Sequence, residues 1–264
     1  MEDLAGRTME GWKGWDDYAR FYDWENARTM GRKDVRFWQA FARREGEPVL
    51  ELGCGTGRVA IPVARTGVPV VGIDRSEPML AYARRRARRL PASQRPDLVL
   101  GDIRSLPFED GVFSAAMAPY GILQSLTRET DLKATLAELA RVLRPGGALG
   151  IDLVPDLPAW DEYRNRTRLR GRLGRSASHV ALVESVRQDR RRKLTIFDQE
   201  YVEWRGGRRV RHRFSLTFRT LPLPQMVARV ERAGFTVTAA LGDYQGRAWD
   251  LRADVWLLLA SRTA

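Results

Sequence analysis

Val49–Arg58 reads VLELGCGTGR, a short apolar run followed by glycines at 53, 55 and 57. A buried strand that ends in glycines brings its backbone close to something, because glycine adopts conformations closed to other residues and puts no side chain in the way. A helix starting near Arg58 would point free N–H groups at whatever the loop holds, which favours an anionic group such as a carboxylate or phosphate. The spacing is G-x-G-x-G. The dinucleotide fingerprint is G-x-G-x-x-G, and position 58 is arginine, so a pyrophosphate cradle is disfavoured.

Outward from that loop, strands and helices alternate. Val49–Leu52 is the first expected strand, Arg58–Arg65 its helix and Val68–Ile73 the second strand. Ser76 caps a helix with Pro78 in its first turn, running to about Arg89. Strands follow at Asp97–Leu100 and Val112–Met117. Leu132, Leu136, Leu139 and Leu143 fall at helical spacing across Glu129–Leu143; Pro145-Gly146-Gly147 ends that helix, and Ala148–Val154 is a fifth strand. Such alternation predicts a parallel sheet with helices on both faces.

From about His179 to Thr220 the period changes to two, with Gly206-Gly207 as a hairpin turn between Leu194–Trp204 and Arg209–Thr220. Val210, His212, Phe214, Leu216 and Phe218 point to one face, and Arg209, Arg211, Arg213, Ser215 and Thr217 to the other. A helix over Pro224–Ala233, stopped by Gly234, and strands near Phe235–Leu241 and Asp254–Ala260 complete the pattern. The expected organisation is an N-terminal helical segment or lid over 1–46, an α/β domain from 47–154 and 223–264, and an inserted antiparallel β region over 155–222.

The 264 residues suffice for one large α/β domain carrying an insertion, and 44% hydrophobic residues can supply its core. No run approaches the roughly 18–20 apolar residues that span a bilayer. The first residues lack the apolar stretch of a signal peptide, and the single cysteine, Cys54, leaves no internal disulfide and no Cys-rich metal site. A cytoplasmic protein, monomer or homodimer, without membrane attachment is expected. The formal charge of +12 invites a nucleic-acid reading, yet only four of the 45 basic residues are lysines and the arginines are scattered along the whole chain.

The second expected strand ends in Gly72-Ile73-Asp74, about 20 residues past the glycine loop, where a carboxylate can hold a pair of ribose hydroxyls. The third ends in Gly101-Asp102-Ile103; a carboxylate there can accept from an exocyclic adenine amine, with Ile103 and Met79 on either side of the ring. With these signals in order, the chain resembles the class I S-adenosylmethionine-dependent methyltransferases. The likeness runs through VLELGCGTGR, GIDRSEPML, GDIRSLPFEDGVFSAAM and LRPGGALGIDL, about residues 48–153. It implies a Rossmann-like α/β fold, a seven-stranded sheet with its last strand antiparallel, helices on both faces and an antiparallel β-sheet inserted after strand five. It also implies that Gly53, Gly55 and Gly57 approach the methionyl part of S-adenosylmethionine, with Asp74 on the ribose and Asp102 and Ile103 on the adenine. Cys54, Thr56, Arg75, Met79 and Ala118 complete the expected cofactor-binding set. Cys54 reads as a small buried residue, not a nucleophile. Arg58 either reaches a carboxylate or decorates the helix start.

Methyl transfer from a sulfonium to a neutral amine needs placement and exclusion of water more than it needs a base. A hydroxyl acceptor usually needs a base or a metal, and no His, Asp or Glu cluster has metal-ligand spacing. After strand four comes Ala118-Pro119-Tyr120, without the polar group that grips a nucleobase amine in nucleic-acid amino-methyltransferases. The stretch WDDYARFYDWEN sets Trp15, Tyr18 and Tyr22 at helical spacing, for packing or as a lid whose Tyr22 closes over the cofactor. In layout the chain is similar to small-molecule N-methyltransferases acting on amino sugars, peptides and glycine. The expected function is methyl transfer to a small-molecule amine, giving S-adenosylhomocysteine, with no metal. Tyr120 and Tyr22 are the candidate catalytic residues, and Tyr22, Tyr120 and Gln124 the candidate substrate contacts. The alternatives are an RNA methyltransferase using the arginine-rich insertion and a non-catalytic S-adenosylmethionine-binding protein.

Overall fold

The structure, a computed structural model, describes residues 15–29, 33–154, 161–174, 178–253 and 255–263. Residues 1–14 of the expected N-terminal segment, and 155–160 where the insertion is expected to begin, lie outside the described residues, as does Asp254 at the expected start of the last strand.

Along the chain run α1 (Trp15–Asn26), α2 (Val35–Glu45), β1 (Val49–Leu52), α3 (Ala60–Ala64), β2 (Val70–Asp74), α4 (Glu77–Ala87) and β3 (Asp97–Leu100). Next come β4 (Phe113–Ala118), α5 (Glu129–Val142) and β5 (Leu143–Leu153). Four strands follow, β6 (Tyr163–Arg172), β7 (His179–Asp189), β8 (Leu194–Arg205) and β9 (Arg208–Arg219). The chain closes with α6 (Leu223–Arg232), β10 (Phe235–Leu241) and β11 (Trp256–Arg262).

The main sheet has seven strands in the order β10-β11-β5-β4-β1-β2-β3, parallel from β5 through β3, with β11 antiparallel to both β5 and β10. Its central strands carry no polar face because helices cover both sides. On one face Leu132, Leu136 and Leu139 of α5 pack with Met226 and Val230 of α6. On the other, Trp38 and Phe41 of α2 lie against Ala115 and Met117. Small residues make that approach possible: a Cβ on Gly150 would stand 2.9 Å from the Trp38 ring and 3.2 Å from Phe41.

The inserted sheet is antiparallel in the order β6-β7-β8-β9. Gly206 and Gly207 have φ of 54° and 76°, the pair of left-handed residues a two-residue hairpin requires. Its inner face packs on α1, where Phe21 stacks on Tyr201 at 4.3 Å and Tyr18 meets Phe214 edge-on at 5.7 Å. These rings, with Leu182, Val186 and Leu216, form a third apolar cluster distinct from the two on the main sheet. The N-terminal segment therefore divides, α1 joining the inserted sheet and α2 the main one.

Some expectations are corrected. Pro145-Gly146-Gly147 does not end a helix ahead of a strand at Ala148; β5 begins at Leu143 and the three residues form an irregularity, Phe113 pairing Leu143 while Ala115 pairs Ala148. Gly147 lies within a would-be Cβ distance of 2.8 Å from the Arg144 carbonyl oxygen, so the bend tolerates no side chain. α3 starts at Ala60 and not Arg58, since Gly57 at φ 75° holds the preceding turn out of helical geometry. Val210 is 41% exposed, so the apolar row of β9 begins further along, at Phe214. β6 carries arginine at 164, 166, 168, 170 and 172 and exposes most of its side chains, which leaves no apolar alternation to announce it.

Candidate functional site

A cavity opens at the C-terminal ends of β1, β2, β3 and β4, under α1. Gly53, Cys54 and Gly55 line it from the loop after β1. Gly53 and Gly55 sit at φ 60° and 53°, and a Cβ on Gly53 would stand 2.5 Å from Ile122 Cδ1, so only glycine fits there. Cys54 packs against Gly72, and burial pushes its thiol well above the ordinary value, which makes it a core residue and not a nucleophile.

Asp74 and Arg75, at the end of β2, form the next wall, with Met79 of α4. Ser76 caps α4, its hydroxyl accepting from Met79 N at 3.3 Å. Asp74 accepts the backbone N–H of Gly55 at 2.8 Å on one oxygen and that of Ser76 at 2.9 Å on the other. It thus pins the glycine loop to the start of α4. Burial raises its pKa and the two amides oppose that rise. Beyond β3, Asp102, Ile103 and Arg104 line the same cavity. Asp102 is tied to the Arg104 guanidinium at 2.7 Å and to its backbone N–H at 2.9 Å, contacts that hold its carboxyl below the usual value.

Tyr22, Trp15, Tyr120 and Phe218 close the remaining side, from α1, the turn after β4, and β9. Tyr120 has φ 56°, an uncommon conformation for a bulky residue. Its phenol and that of Tyr22 are both pushed up by burial, so both stay protonated at neutral pH. Between them stands Arg58, whose guanidinium makes a two-pronged pair with Asp34 at 2.7 Å on each prong and lies 5.5 Å from the Tyr120 ring. Arg58 thus reaches a carboxylate and also lines the cavity.

Four expected site residues are absent from the cavity wall. Thr56 is fully buried and turned away, its hydroxyl donating to Asp23 of α1 at 2.6 Å while Arg86 donates to its carbonyl at 2.9 Å. Gly57 faces Ile61, whose Cδ1 a Cβ would meet at 2.7 Å. Ala118 is enclosed within the sheet. Gln124 is committed to the end of β5, accepting from Val154 N at 2.8 Å and donating to Val154 O at 3.2 Å. With both ends of its amide occupied, it holds the turn.

Glu51 was not expected. It lies inside β1, is 2% exposed, lines the cavity, and its Oε2 finds no hydrogen-bond partner among the described residues. Burial raises its pKa to about 8 against the pull of the Arg58 cation. The signal was present in the sequence: a charged residue within the otherwise apolar run VLEL.

On the outer face of the inserted sheet, Arg211 and Arg213 both pair with Glu200, at 3.2 and 2.8 Å, and Arg187 pairs with Asp198 at 2.9 Å. Much of the basic row is matched locally by cross-strand carboxylates. Among the described residues no group of three or more His, Cys, Asp or Glu is arranged to hold a metal ion, and no helix is long and apolar enough to cross a membrane.

Residues 49–147 match the family described as "Methyltransferase domain". A demethylmenaquinone methyltransferase of Renibacterium salmoninarum is 34% identical over 190 residues, covering 65% of this chain and 74% of the relative. The chain spans about half the length of three other curated relatives it matches, from 44% to 55%. Among solved structures, the CcbJ methyltransferase from Streptomyces caelestis superposes with a TM-score of 0.79 at 24% identity, over 95% of this chain and 98% of the other. A sugar N-methyltransferase from a Streptoalloteichus species gives a TM-score of 0.75 at 16% identity, over 92% and 93% of the two chains. The sequence match to the quinone enzyme covers part of the chain, whereas the likeness of fold takes in nearly all of it.

Proposed function

Because the chain belongs to the class I S-adenosylmethionine-dependent methyltransferases, we propose that it transfers a methyl group from S-adenosylmethionine to an amine nitrogen of a small molecule. The cavity fits that cofactor on grounds of its own. Glu51 offers a buried carboxyl oxygen without a partner among the described residues, which an ammonium group would draw into its charged form, beside a loop whose Gly55 has nothing nearer than 4.0 Å to where a Cβ would stand. Asp74 would hold the ribose hydroxyls, and Asp102 and Ile103 the adenine, with Met79 and Arg75 beside them. When bound, the cofactor supplies a methyl group on a positively charged sulfur.

The observation that carries the amine reading is the protonation state of the opposite wall. A hydroxyl acceptor needs a base, and on that wall the phenols of Tyr22 and Tyr120 are held protonated by burial with the Arg58 cation between them. A neutral amine already has its lone pair. Tyr120 would orient that amine through its hydroxyl, while Trp15, Tyr22 and Phe218 exclude water. Placement by this chain's residues then does most of the work. In this reading residues 47–154 and 223–264 hold the donor, and α1 with the region 155–222 covers the acceptor.

The test is incubation of the purified protein with methyl-labelled S-adenosylmethionine and a panel of primary and secondary amines, with matched alcohols and phenols. Labelled N-methyl product is expected, with one S-adenosylhomocysteine per methyl. Transfer only to oxygen or carbon acceptors would refute the amine assignment.

A further inference from the structure

Thr56 stands in the middle of the glycine loop, yet it is fully buried and its side chain turns from the cavity toward α1. The backbone on either side of it is fixed. Asp74 holds Gly55 N–H at 2.8 Å, and Gly57 N–H donates to the Cys54 carbonyl at 2.8 Å. The Thr56 hydroxyl donates to Asp23 Oδ1 at 2.6 Å and accepts from Arg86 Nη1 at 3.3 Å. Arg86, from α4, also donates to the Thr56 carbonyl at 2.9 Å and to both Asp23 oxygens at 3.3 Å. Three elements thus meet at one carboxylate: α1, the glycine loop and α4.

Asp23 adjoins Tyr22 in α1, and Tyr22 walls the cavity. Neighbouring residues on a helix point about 100° apart, so Asp23 can grip the loop while Tyr22 faces the cavity. The route from the donor side to the acceptor side is therefore short. It runs Asp74, Gly55, Thr56, Asp23, Tyr22, through two hydrogen bonds and otherwise consecutive residues. α1 packs its other rings under the inserted sheet, Phe21 stacking on Tyr201. That packing fixes α1 against the sheet; the Asp23 contacts fix it against the loop.

We infer that Asp23, through Thr56 and Arg86, is the positioning residue that sets Tyr22 over the bound donor. This rests on the proposed role of Tyr22 in closing the acceptor side. Asp23 lies outside the cavity wall and acts through its neighbour in α1. A cofactor that orders the glycine loop also orders Thr56, and so draws Tyr22 into place before an acceptor arrives.

The experiment needs no acceptor. Labelled S-adenosylhomocysteine is bound, then chased with an excess of the unlabelled compound, and its dissociation rate is followed. Thr56→Val removes the hydroxyl and keeps the shape. The Asp23 side chain is 43% exposed, so water replaces the lost donor and the fold is not at stake. Dissociation should quicken at least about fivefold in Thr56→Val and in Asp23→Ala, less than a buried hydrogen bond to a charged group would give because water reaches this carboxylate. Thr56→Ser keeps the hydroxyl and should restore most of the wild-type rate. The deciding comparison is with Tyr22→Ala. If Asp23 acts through Tyr22, adding Thr56→Val to Tyr22→Ala should change the rate by no more than about twofold. A loop that is merely loosened would multiply the two effects. A wild-type rate in Thr56→Val, or multiplied effects in the double variant, overturns the inference.

With the acceptor found in the amine panel, its KM at saturating cofactor should rise at least about fivefold in Thr56→Val while kcat changes little, because a covering wall holds ground and transition states alike. A fall in kcat at unchanged KM would overturn the assignment to Tyr22. Failure to find any amine acceptor would instead bear on the proposed reaction, leaving the dissociation rates to decide the coupling of Asp23 to Tyr22.

Discussion

Replacing Asp74 by asparagine tests the donor site with little change of shape. The carboxylate accepts Gly55 N–H at 2.8 Å and Ser76 N–H at 2.9 Å, one on each oxygen. Asparagine keeps one acceptor oxygen and turns an NH₂ toward the other amide, so one backbone donor loses its partner and faces another donor. A hydrogen bond to a charged group contributes about 1.5–3 kcal/mol, and leaving a buried donor unpaired costs a similar amount. The side chain also loses the charge that would draw two ribose hydroxyls. Cofactor binding should weaken by about 1.5–3 kcal/mol, or roughly ten- to a hundredfold in Kd. Calorimetric titration with S-adenosylhomocysteine measures this directly, and a thermal scan of the free protein reports the loosened loop as a lower Tm. An affinity within twofold of wild type, in a variant that folds normally, would refute both the ribose assignment and the reasoning about the loop.

Further outcomes follow from the same geometry. Glu51 titrates near 8 in the folded chain and near the ordinary carboxylate value when unfolded, so the folded state binds more protons between those limits and its stability falls as pH rises through that window. Glu51→Gln should flatten that slope in denaturant titrations at pH 5 and pH 8, while weakening S-adenosylhomocysteine binding. Arg58→Ala strands the buried Asp34 and should cost about 3–5 kcal/mol in unfolding free energy; the double variant Asp34→Ala, Arg58→Met should recover much of it. Tyr120→Phe keeps the ring and removes the hydroxyl, so turnover should drop at least tenfold, about 1.4 kcal/mol in the barrier, with cofactor affinity unchanged. Neutralising Arg211 and Arg213, already paired with Glu200, should leave small-molecule turnover intact.

The frame of the main sheet was legible because its strands are short apolar runs punctuated by glycine and proline, and its helices carry leucine at helical spacing. Asp74 was legible because it stands at the end of such a strand. What escaped depends on contacts between distant segments. Nothing near Thr56 announces that its hydroxyl is taken by Asp23, 33 residues away, or near Gln124 that both ends of its amide bind Val154. Glu51 hid inside a strand pattern that treats a charge as an interruption. β6 hid because an edge strand of alternating arginines has no buried face to give it a period. Asp152 and Tyr244, 92 residues apart, meet only once β5 and β11 pair in the sheet.

The aromatic layer formed by Phe21, Tyr18, Tyr201 and Phe214 has its own core, and it meets the main body where α1 lies on α4 and where Arg219 of β9 pairs with Glu129 of α5 at 2.7 Å. Met79 packs into it, and Asp23 is tied to Thr56 and Arg86. The cavity lies along that seam, walled by Tyr22 and Phe218 on one bank and Asp74 and Tyr120 on the other. A molecule seated there acts as a staple between two cores. Its binding free energy therefore adds to the cohesion between the layers.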